Sequence, residues 1–557
     1  MGNHPALLQK NHRGELRGHP ASREIKMKIA LAICPFFTNG DWPPLGLSCV
    51  NGALRAAGHE TVCFDFIFHG FQKHPDPVKL NYHLAGLGLV RDDVLFWLKP
   101  ELALWSLYKD QAPGFKWDLG LDADNLMRAG VMLLGLRVAV REQARMVLES
   151  RPDAVLFSTY VSNLLWSLKL AQELKAAAPD LPVVFGGPGV GLPEVRSLAL
   201  ALGFVDAAAV GEGETTAVAI ADDLAGALAG SVAGVAVAGE DPAERPVGPL
   251  LDLPRPSFDG FPLPGLSLSD YARARPHPFL TPFFRGWAVY CSRGCRNRCA
   301  YCSETAYWKT HRTLAAPAVI EEIRRRPVDE TDGKRYVLFG DSAINGSREW
   351  MDEFVTAMAA DPDPPVMCGY MIATPELDAE MGRAIRRAGF RFVTLGIETF
   401  SARIRKTMGK PHGEEELFNA VLSLTRAGVN VKTNLLVGFP GETEDDFQTS
   451  MNYIRRWRET PPAERGPGWI YFDAGHPVRL EAYSRMYRQP DRFGISIAPR
   501  PVPDLPEGLA HLAEPLAAMF LRWDAPGRDL VERRAAEMKG LAAAAWAETV
   551  GTVMAGA

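Results

Sequence analysis

The sequence predicts an α/β protein: two units in series, each a parallel sheet flanked by helices, followed by a helical C-terminal region. Three observations carry that prediction. At 557 residues the chain exceeds what one hydrophobic core ordinarily supports. Short apolar runs of strand length alternate with helix-period segments over residues 27–244 and again over 284–478. Between them, residues 245–283 are rich in proline and lack periodicity, as a linker does.

The elements follow in order. Residues 1–26 carry His, Arg, Lys and Asn without apolar periodicity and lack the apolar core of a secretory signal, so they read as a disordered extension. The first unit opens with a strand over Ile29 to Cys34, then a helix over Pro44 to Ala57 whose face is Leu47, Val50 and Leu54, with Gly58 as its stop. Thr61 to Phe66, Ala154 to Ser158, Pro182 to Phe185 and Val205 to Val210 read as strands. Leu164, Leu165, Leu168, Ala171 and Leu174 mark a helix between the second and third of these. Residues 77–143 are too long for an ordinary connection and read as a helical insertion packed on this unit.

In the second unit the strands are Trp287 to Cys291, Tyr336 to Phe339, Val366 to Met371, Phe392 to Gly396, Val431 to Val437 and Trp469 to Phe472. Its length is too short for the eight repeats of a closed barrel, each about 30 residues, and fits six. Residues 479–557 hold Tyr483, Met486, Tyr487 and Phe493, then prolines, then an Ala-rich packing helix that includes Leu541 to Ala547.

Net charge is -5 with the signs mixed, which gives no reason to expect a nucleic-acid partner. Cys34, Cys49, Cys63 and Cys368 are scattered in apolar contexts and read as core thiols of a reducing, cytoplasmic compartment. The longest apolar stretch, Ala217 to Ala238, is interrupted by Asp222 and Asp223, so no membrane span is expected.

The chemistry concentrates in Cys295-Arg296-Asn297-Arg298-Cys299-Ala300-Tyr301-Cys302. Three thiolates at this spacing can hold three irons of a cubane iron-sulfur cluster and leave the fourth iron open to a further ligand. Zinc is the rival, since Cys291 would complete a four-thiolate set. Zinc ribbons, however, usually pair two short hooks across a longer spacer, and here all four thiols are crowded together. The other reading of Cys291 is a buried apolar residue at a strand end.

Ligands of parallel sheets bind at the carboxyl ends of the strands. In the first unit the loops there read Pro44-Leu45-Gly46-Leu47, Ser158-Thr159-Tyr160, Gly186-Gly187-Pro188-Gly189 and Gly211-Glu212-Gly213-Glu214. Glycines at such ends let a bulky ligand approach the backbone, although any one of these loops is equally well an ordinary turn.

The three-cysteine pattern, with Tyr301 before its last thiol and Ser292-Arg293-Gly294 before its first, resembles the motif of the radical S-adenosylmethionine (SAM) enzymes. The four loops, in this order ahead of it, resemble the cobalamin-binding domain of the cobalamin-dependent subfamily. The resemblance implies an N-terminal Rossmann-like cobalamin-binding domain over 27–244 and a partial (β/α)6 TIM-type radical SAM barrel over 284–478. It implies a 4Fe-4S cluster on Cys295, Cys299 and Cys302. For SAM it implies Tyr301 near the adenine, Gly340 and Asp341 at the amino group in place of the usual Gly-Gly-Glu, Glu398 at the ribose or amino end, and Gly438 beside the adenine. For cobalamin it implies Leu45, Gly46, Ser158, Thr159, Gly186, Gly187, Gly211, Glu212 and Gly213.

The Asp-x-His-x-x-Gly signature that gives cobalt a histidine elsewhere is missing; Asp65 and His69 are wrongly spaced, and His69 reads as a loop residue. Thr443 and Asp446 offer helix capping as another reading of the Gly438 tip. Lys406 to Lys410 follows the fourth strand as the subfamily's motif does, and a solvated basic face explains it equally well.

The function implied is removal of hydrogen from an unreactive carbon by a 5'-deoxyadenosyl radical and delivery of a methyl group from cobalamin, with 5'-deoxyadenosine and S-adenosylhomocysteine as products. The substrate would be a small natural product or a peptide, and the electron donor of flavodoxin or ferredoxin type. Cobalamin-dependent cyclisation, rearrangement or oxidation without methyl transfer is the alternative, and a non-catalytic cobalamin or redox sensor is one of another class. The resemblance implies no catalytic residue beyond the cofactor ligands.

Overall fold

A computed structural model describes residues 27–34, 44–66, 139–160, 163–261, 287–329, 332–410, 412–481, 483–499, 510–511, 513–514, 521–523 and 527–555. The expected N-terminal extension, most of the helical insertion, the second half of the linker and His69 lie outside them.

In the first sheet β1 (Lys28–Ile33), β2 (Glu60–Asp65), β3 (Ala154–Ser158), β4 (Val183–Gly186) and β5 (Ala207–Ala209) run parallel in the order 2-1-3-4-5. Helices cover both faces, so the inner strands are apolar runs without alternation, as in β1, where Ile29, Ala30, Leu31 and Ala32 are all buried, while edge strand β2 alternates. The two-residue β6 (Val235–Ala236) adds antiparallel to β5, an element too short to leave a sequence pattern. The covering helices include α1 (Leu45–Ala56), α2 (Leu164–Ala177), α3 (Pro193–Ala201) and α4 (Gly213–Asp222). Leu164, Leu168, Ala171 and Leu174 of α2 are buried, as their spacing predicts. Gly58, at φ 95, ends α1 in the left-handed region. Because β1 is followed by β2 on one side and flanked by β3 on the other, the order reverses there and leaves a crevice at the strand ends.

The linker does not hang free as far as it is described. Asn51 Nδ2 of α1 donates to the carbonyls of Ser257 and Asp259, both at 2.8 Å, so this proline-rich stretch lies along the helix.

The second sheet is parallel and sequential. It consists of β7 (Trp287–Val289), β10 (Tyr336–Phe339), β11 (Val366–Met371), β12 (Phe390–Glu398), β13 (Asn430–Val437) and β14 (Ile470–Pro477), with β7 and β14 at opposite edges. Six strands curve without closing. Between β7 and β10 a small antiparallel pair, β8 (Ser292–Arg293) with β9 (Arg312–Thr313), props the cysteine loop. Val337, Phe339, Val393, Leu395 and Ile397 face the outer helices in the main core. Leu338, Cys368 and Phe392, with Trp469 against them, form a separate cluster on the concave side.

A 28-residue helix, α5 (Arg528–Ala555), runs along edge strand β14. Trp546 contacts Trp469 and Tyr471 with ring centroids 5.2 and 5.1 Å apart. Among the described residues, no helix is long and apolar enough to cross a membrane.

Candidate active site

The cysteine loop leaves β7 and is fixed at its start by Asp341, at the tip of β10. Asp341 Oδ1 accepts from the backbone N–H of Ser292 at 2.5 Å, the Ser292 hydroxyl at 2.6 Å and the Cys291 thiol at 3.2 Å. Burial pushes its carboxyl up to about 6 against these hydrogen bonds. The sequence reading puts Asp341 at the amino group of SAM. In the structure its carboxylate is turned instead to the Cys291–Ser292 backbone, whose donors are buried and require an acceptor. The same contact engages the Cys291 thiol, which weighs against a four-thiolate zinc site. Among the described residues no three His, Cys, Asp or Glu side chains are disposed to share a single ion.

Cys295, Cys299 and Cys302 are half-buried. Burial, with smaller contributions from the neighbouring Cys299 and Cys295, pushes the Cys302 thiol up to about 12; Cys295 is raised by burial and by Cys299. Three partly desolvated thiols that would repel one another as thiolates need positive charge among them, and an iron-sulfur cluster meets that need. The loop is pinned from two sides: Ala300 N donates to the Met408 carbonyl at 2.7 Å, and Met486 N to the Ala300 carbonyl at 2.8 Å.

Beside the loop, at the end of β12, the buried Glu398 has φ 70, rare for a residue with a side chain. A network holds it there. Lys410 Nζ lies 3.0 Å from Glu398 Oε1 and donates to the Gly396 carbonyl at 2.7 Å. The Tyr301 phenol, raised by burial and by Glu398, stays protonated and hydrogen-bonds that carboxylate. Arg405 donates to the carbonyls of Ile397 and Thr399. Backbone strain supported in this way is common where a carboxylate must be presented in one orientation. Lys410 is therefore buried at the mouth and is no solvated face; Gly409, at φ 85, turns the chain back to bring it there.

The remaining tips are partly covered. Gly438 N donates to Glu442 Oε2 at 2.9 Å, Glu442 pairs with Arg534 of α5 at 3.0 Å, and a Cβ on Gly438 would lie 2.8 Å from Val531. The capping box of Thr443 and Asp446 is present. A Cβ on Gly340 would lie 3.0 Å from Leu45 Cδ2, so the barrel mouth and the start of α1 face each other.

At the carboxyl ends of β1, β3, β4 and β5 a cavity of about 160 Å³ opens beneath α1 and α4. Gly46, Ser158, Gly186, Gly187, Gly211, Glu212 and Gly213 all line it. Leu45 and Thr159 do not: Leu45 reaches Gly340, and the buried Thr159 donates its hydroxyl to the Gly186 carbonyl at 2.6 Å. Gly187, at φ 87, admits no side chain, since a Cβ would lie 2.7 Å from the Thr159 carbonyl oxygen. At Gly46 and Gly211 a Cβ would meet nothing within 4 Å, so the backbone itself faces open space. Such a cradle fits the buried tail of a bulky ligand.

Arg293, Tyr307 and Trp308 of the cysteine loop line the same cavity. The Arg293 guanidinium sits between Glu212, at 2.6 Å, and Glu214, and Arg312 also pairs with Glu212. Burial works against the Arg293 charge and Glu214 holds it in place, above the ordinary guanidinium range. This bridge between the two units joins residues about eighty positions apart, which nothing in the sequence marks as partners.

Residues 123–221 match the profile of the B12 binding domain, and residues 289–454 that of the radical SAM superfamily. The chain is 24% identical over 321 residues to the uncharacterized methyltransferase PH0819 of Pyrococcus horikoshii, covering 56% of this chain and 66% of that protein. It is 25% identical over 189 residues to the ribosomal protein uS12 methylthiotransferase RimO of Desulfotalea psychrophila, covering 32% of this chain and 42% of that one. It thus spans less than two thirds of either relative. In fold it is similar to the radical SAM methyltransferase TsrM of Kitasatospora setae with cobalamin and a 4Fe-4S cluster bound (TM-score 0.51, 17% identity, 83% of this chain and 77% of that chain). It is also similar to the cobalamin-dependent SAM radical enzyme OxsB with aqua-cobalamin and SAM bound (TM-score 0.53, 14% identity, 84% and 56%).

Proposed function

We propose that this chain, which joins a B12-binding domain to a radical SAM domain and so belongs among the cobalamin-dependent radical SAM enzymes, methylates an unactivated carbon of a small-molecule or peptide substrate. One observation carries the reading: the cysteine loop forms part of the wall of the cavity in the first unit, so the two cofactor sites adjoin. The names of PH0819 and TsrM support methyl transfer over cyclisation, and the tryptophan bound in a TsrM structure supports a small molecule as substrate.

When bound, the cluster supplies the electron that breaks SAM to a carbon radical, and the corrinoid supplies a methyl carrier. The chain's residues bind, orient and exclude. Cys295, Cys299 and Cys302 hold the cluster, while Asp341 fixes the start of their loop. Glu398, oriented by Lys410 and Tyr301, offers its carboxylate to the ribose or amino end of SAM. Gly46, Gly187 and Gly211 let the corrinoid tail approach the backbone, and Leu31, Val184, Ala217 and Ile220 keep water from it.

The test is anaerobic reconstitution with iron, sulfide and cobalamin, addition of SAM, a low-potential reductant and a candidate small-molecule or peptide substrate, then chromatography of the products made from SAM. Methyl transfer gives 5'-deoxyadenosine and S-adenosylhomocysteine in equal amounts. Deoxyadenosine without the homocysteine product would replace methylation by cyclisation, rearrangement or oxidation, and neither product would end the enzymatic reading.

A further inference from the structure

The concave face of the barrel carries a polar layer that neither the thiols nor the cavity uses. Register places Tyr370 of β11 beside Thr394 of β12, and Thr394 beside Lys432 of β13. From β14, Asp473 reaches into the same layer. Its carboxylate lies between Lys432 Nζ, at 2.8 Å, and His476 Nε2, at 2.5 Å. Two residues back along the strands, one layer down, Leu338, Cys368 and Phe392 close the floor.

Tyr370 sits on an interior strand with a neighbour on each side, yet it is 39% exposed, whereas Cys368 on the same face is 2% exposed. With the floor shut, that exposure comes from a lumen open toward the mouth. The hydrogen-bonding capacity left there is donor in character. Both oxygens of Asp473 are engaged, while the Lys432 ammonium has three N–H groups for one carboxylate partner among the described residues, and the Tyr370 hydroxyl faces the same charges.

We propose that this layer is a substrate subsite in which Lys432 and Tyr370 bind an oxyanion, carboxylate or phosphate, of the methyl acceptor, with Asp473 and His476 as positioning residues for Lys432. It rests on the methyl-transfer reading and names what that substrate must carry. Against its burial, His476 and Lys432 hold the Asp473 carboxyl down to about 2, so the lysine keeps its partner at any working pH. Thr394 and Glu398 are four positions apart on β12, with a register irregularity between Leu395 and Glu398, so the layer lies below the mouth on the same strand.

Fluorine NMR of the anaerobically reconstituted full chain tests this with three small probes: trifluoroacetate, monofluorophosphate and the permanently charged 2-fluoroethyltrimethylammonium. The anions should bind more tightly than the cation, and the tighter anion tells carboxylate from phosphate. Lys432→Gln should weaken anion binding about tenfold, as loss of a charge-assisted hydrogen bond does, and Tyr370→Phe, which removes one oxygen without altering shape, several-fold. Preference for the cation, or equal anion binding in wild type and both variants, overturns the subsite. Cleavage of SAM without substrate separates the two proposals: it depends on Cys299 and not on Lys432, so its loss in wild type would sink the enzymatic reading and leave the binding result standing.

Discussion

The two candidate cofactor sites are made by opposite means. Around the cavity of the first sheet the working feature is absence: Gly46, Gly187 and Gly211 present bare backbone where a side chain would project into the space or strike a neighbouring strand end. In the cysteine loop and at the tip of β12 the working feature is convergence, with three thiols, Glu398, Lys410 and Tyr301 drawn into one corner. A large, mostly covalently complete ligand needs room, and a small inorganic one needs donors. Arg293 belongs to both, since it leaves the donor loop and lines the cavity.

That contrast can be broken most decisively at a donor. Cys299→Ala should abolish both cluster iron and deoxyadenosine formation; a variant that still made deoxyadenosine at the wild-type rate would end the ligand assignment. Next in size is the shared residue. Arg293→Ala leaves the buried Glu214 without its guanidinium, while the half-buried Glu212 keeps Arg312, and should cost about 3–5 kcal/mol in denaturant unfolding, as breaking a buried pair does. A change under about 1 kcal/mol would mean that the bridge is solvated.

On the side of absence, Gly187→Ala forces a side chain into a left-handed position against Thr159 and should lower stability by about 1–3 kcal/mol and weaken cobalamin binding in an absorbance titration. Asp341 gives a smaller, pH-dependent effect. Its carboxyl is near 3.8 when free and about 6 when folded, so the folded chain holds more protons between these values and stability falls as pH rises from about 4 to about 6. Asp341→Asn should flatten that slope in unfolding curves taken across the window. Smallest of all is the exposed pair of Lys309 and Glu244, which also spans the two units: Lys309→Ala should change stability by no more than about 1 kcal/mol.

The parallel strands of both sheets were legible because apolar runs between turn residues have few other uses, and the thiol loop because three cysteines so close together stand out from the scattered ones. The glycine loops were legible as a set once their order along the chain was considered, and seven of the nine residues named for cobalamin line the cavity. What escaped depends on pairings between distant segments. Nothing near Arg293 announces Glu214, and Lys410 enters the site through the left-handed turn at Gly409, which the basic residues around it disguise. Asp341 was placed at the right strand tip, but which way a carboxylate turns there depends on neighbouring backbone donors that a sequence does not display.

The long helix α5 has a consequence for how the molecule is made. Strand β14 ends the sheet, and a bare sheet edge is a template for any extended chain that meets it. Its companion helix begins some fifty residues later, at Arg528, so during synthesis the strand emerges well before its cover. The nascent protein passes through an interval of vulnerability to misassembly in which the edge is ready to pair and its shield is still untranslated.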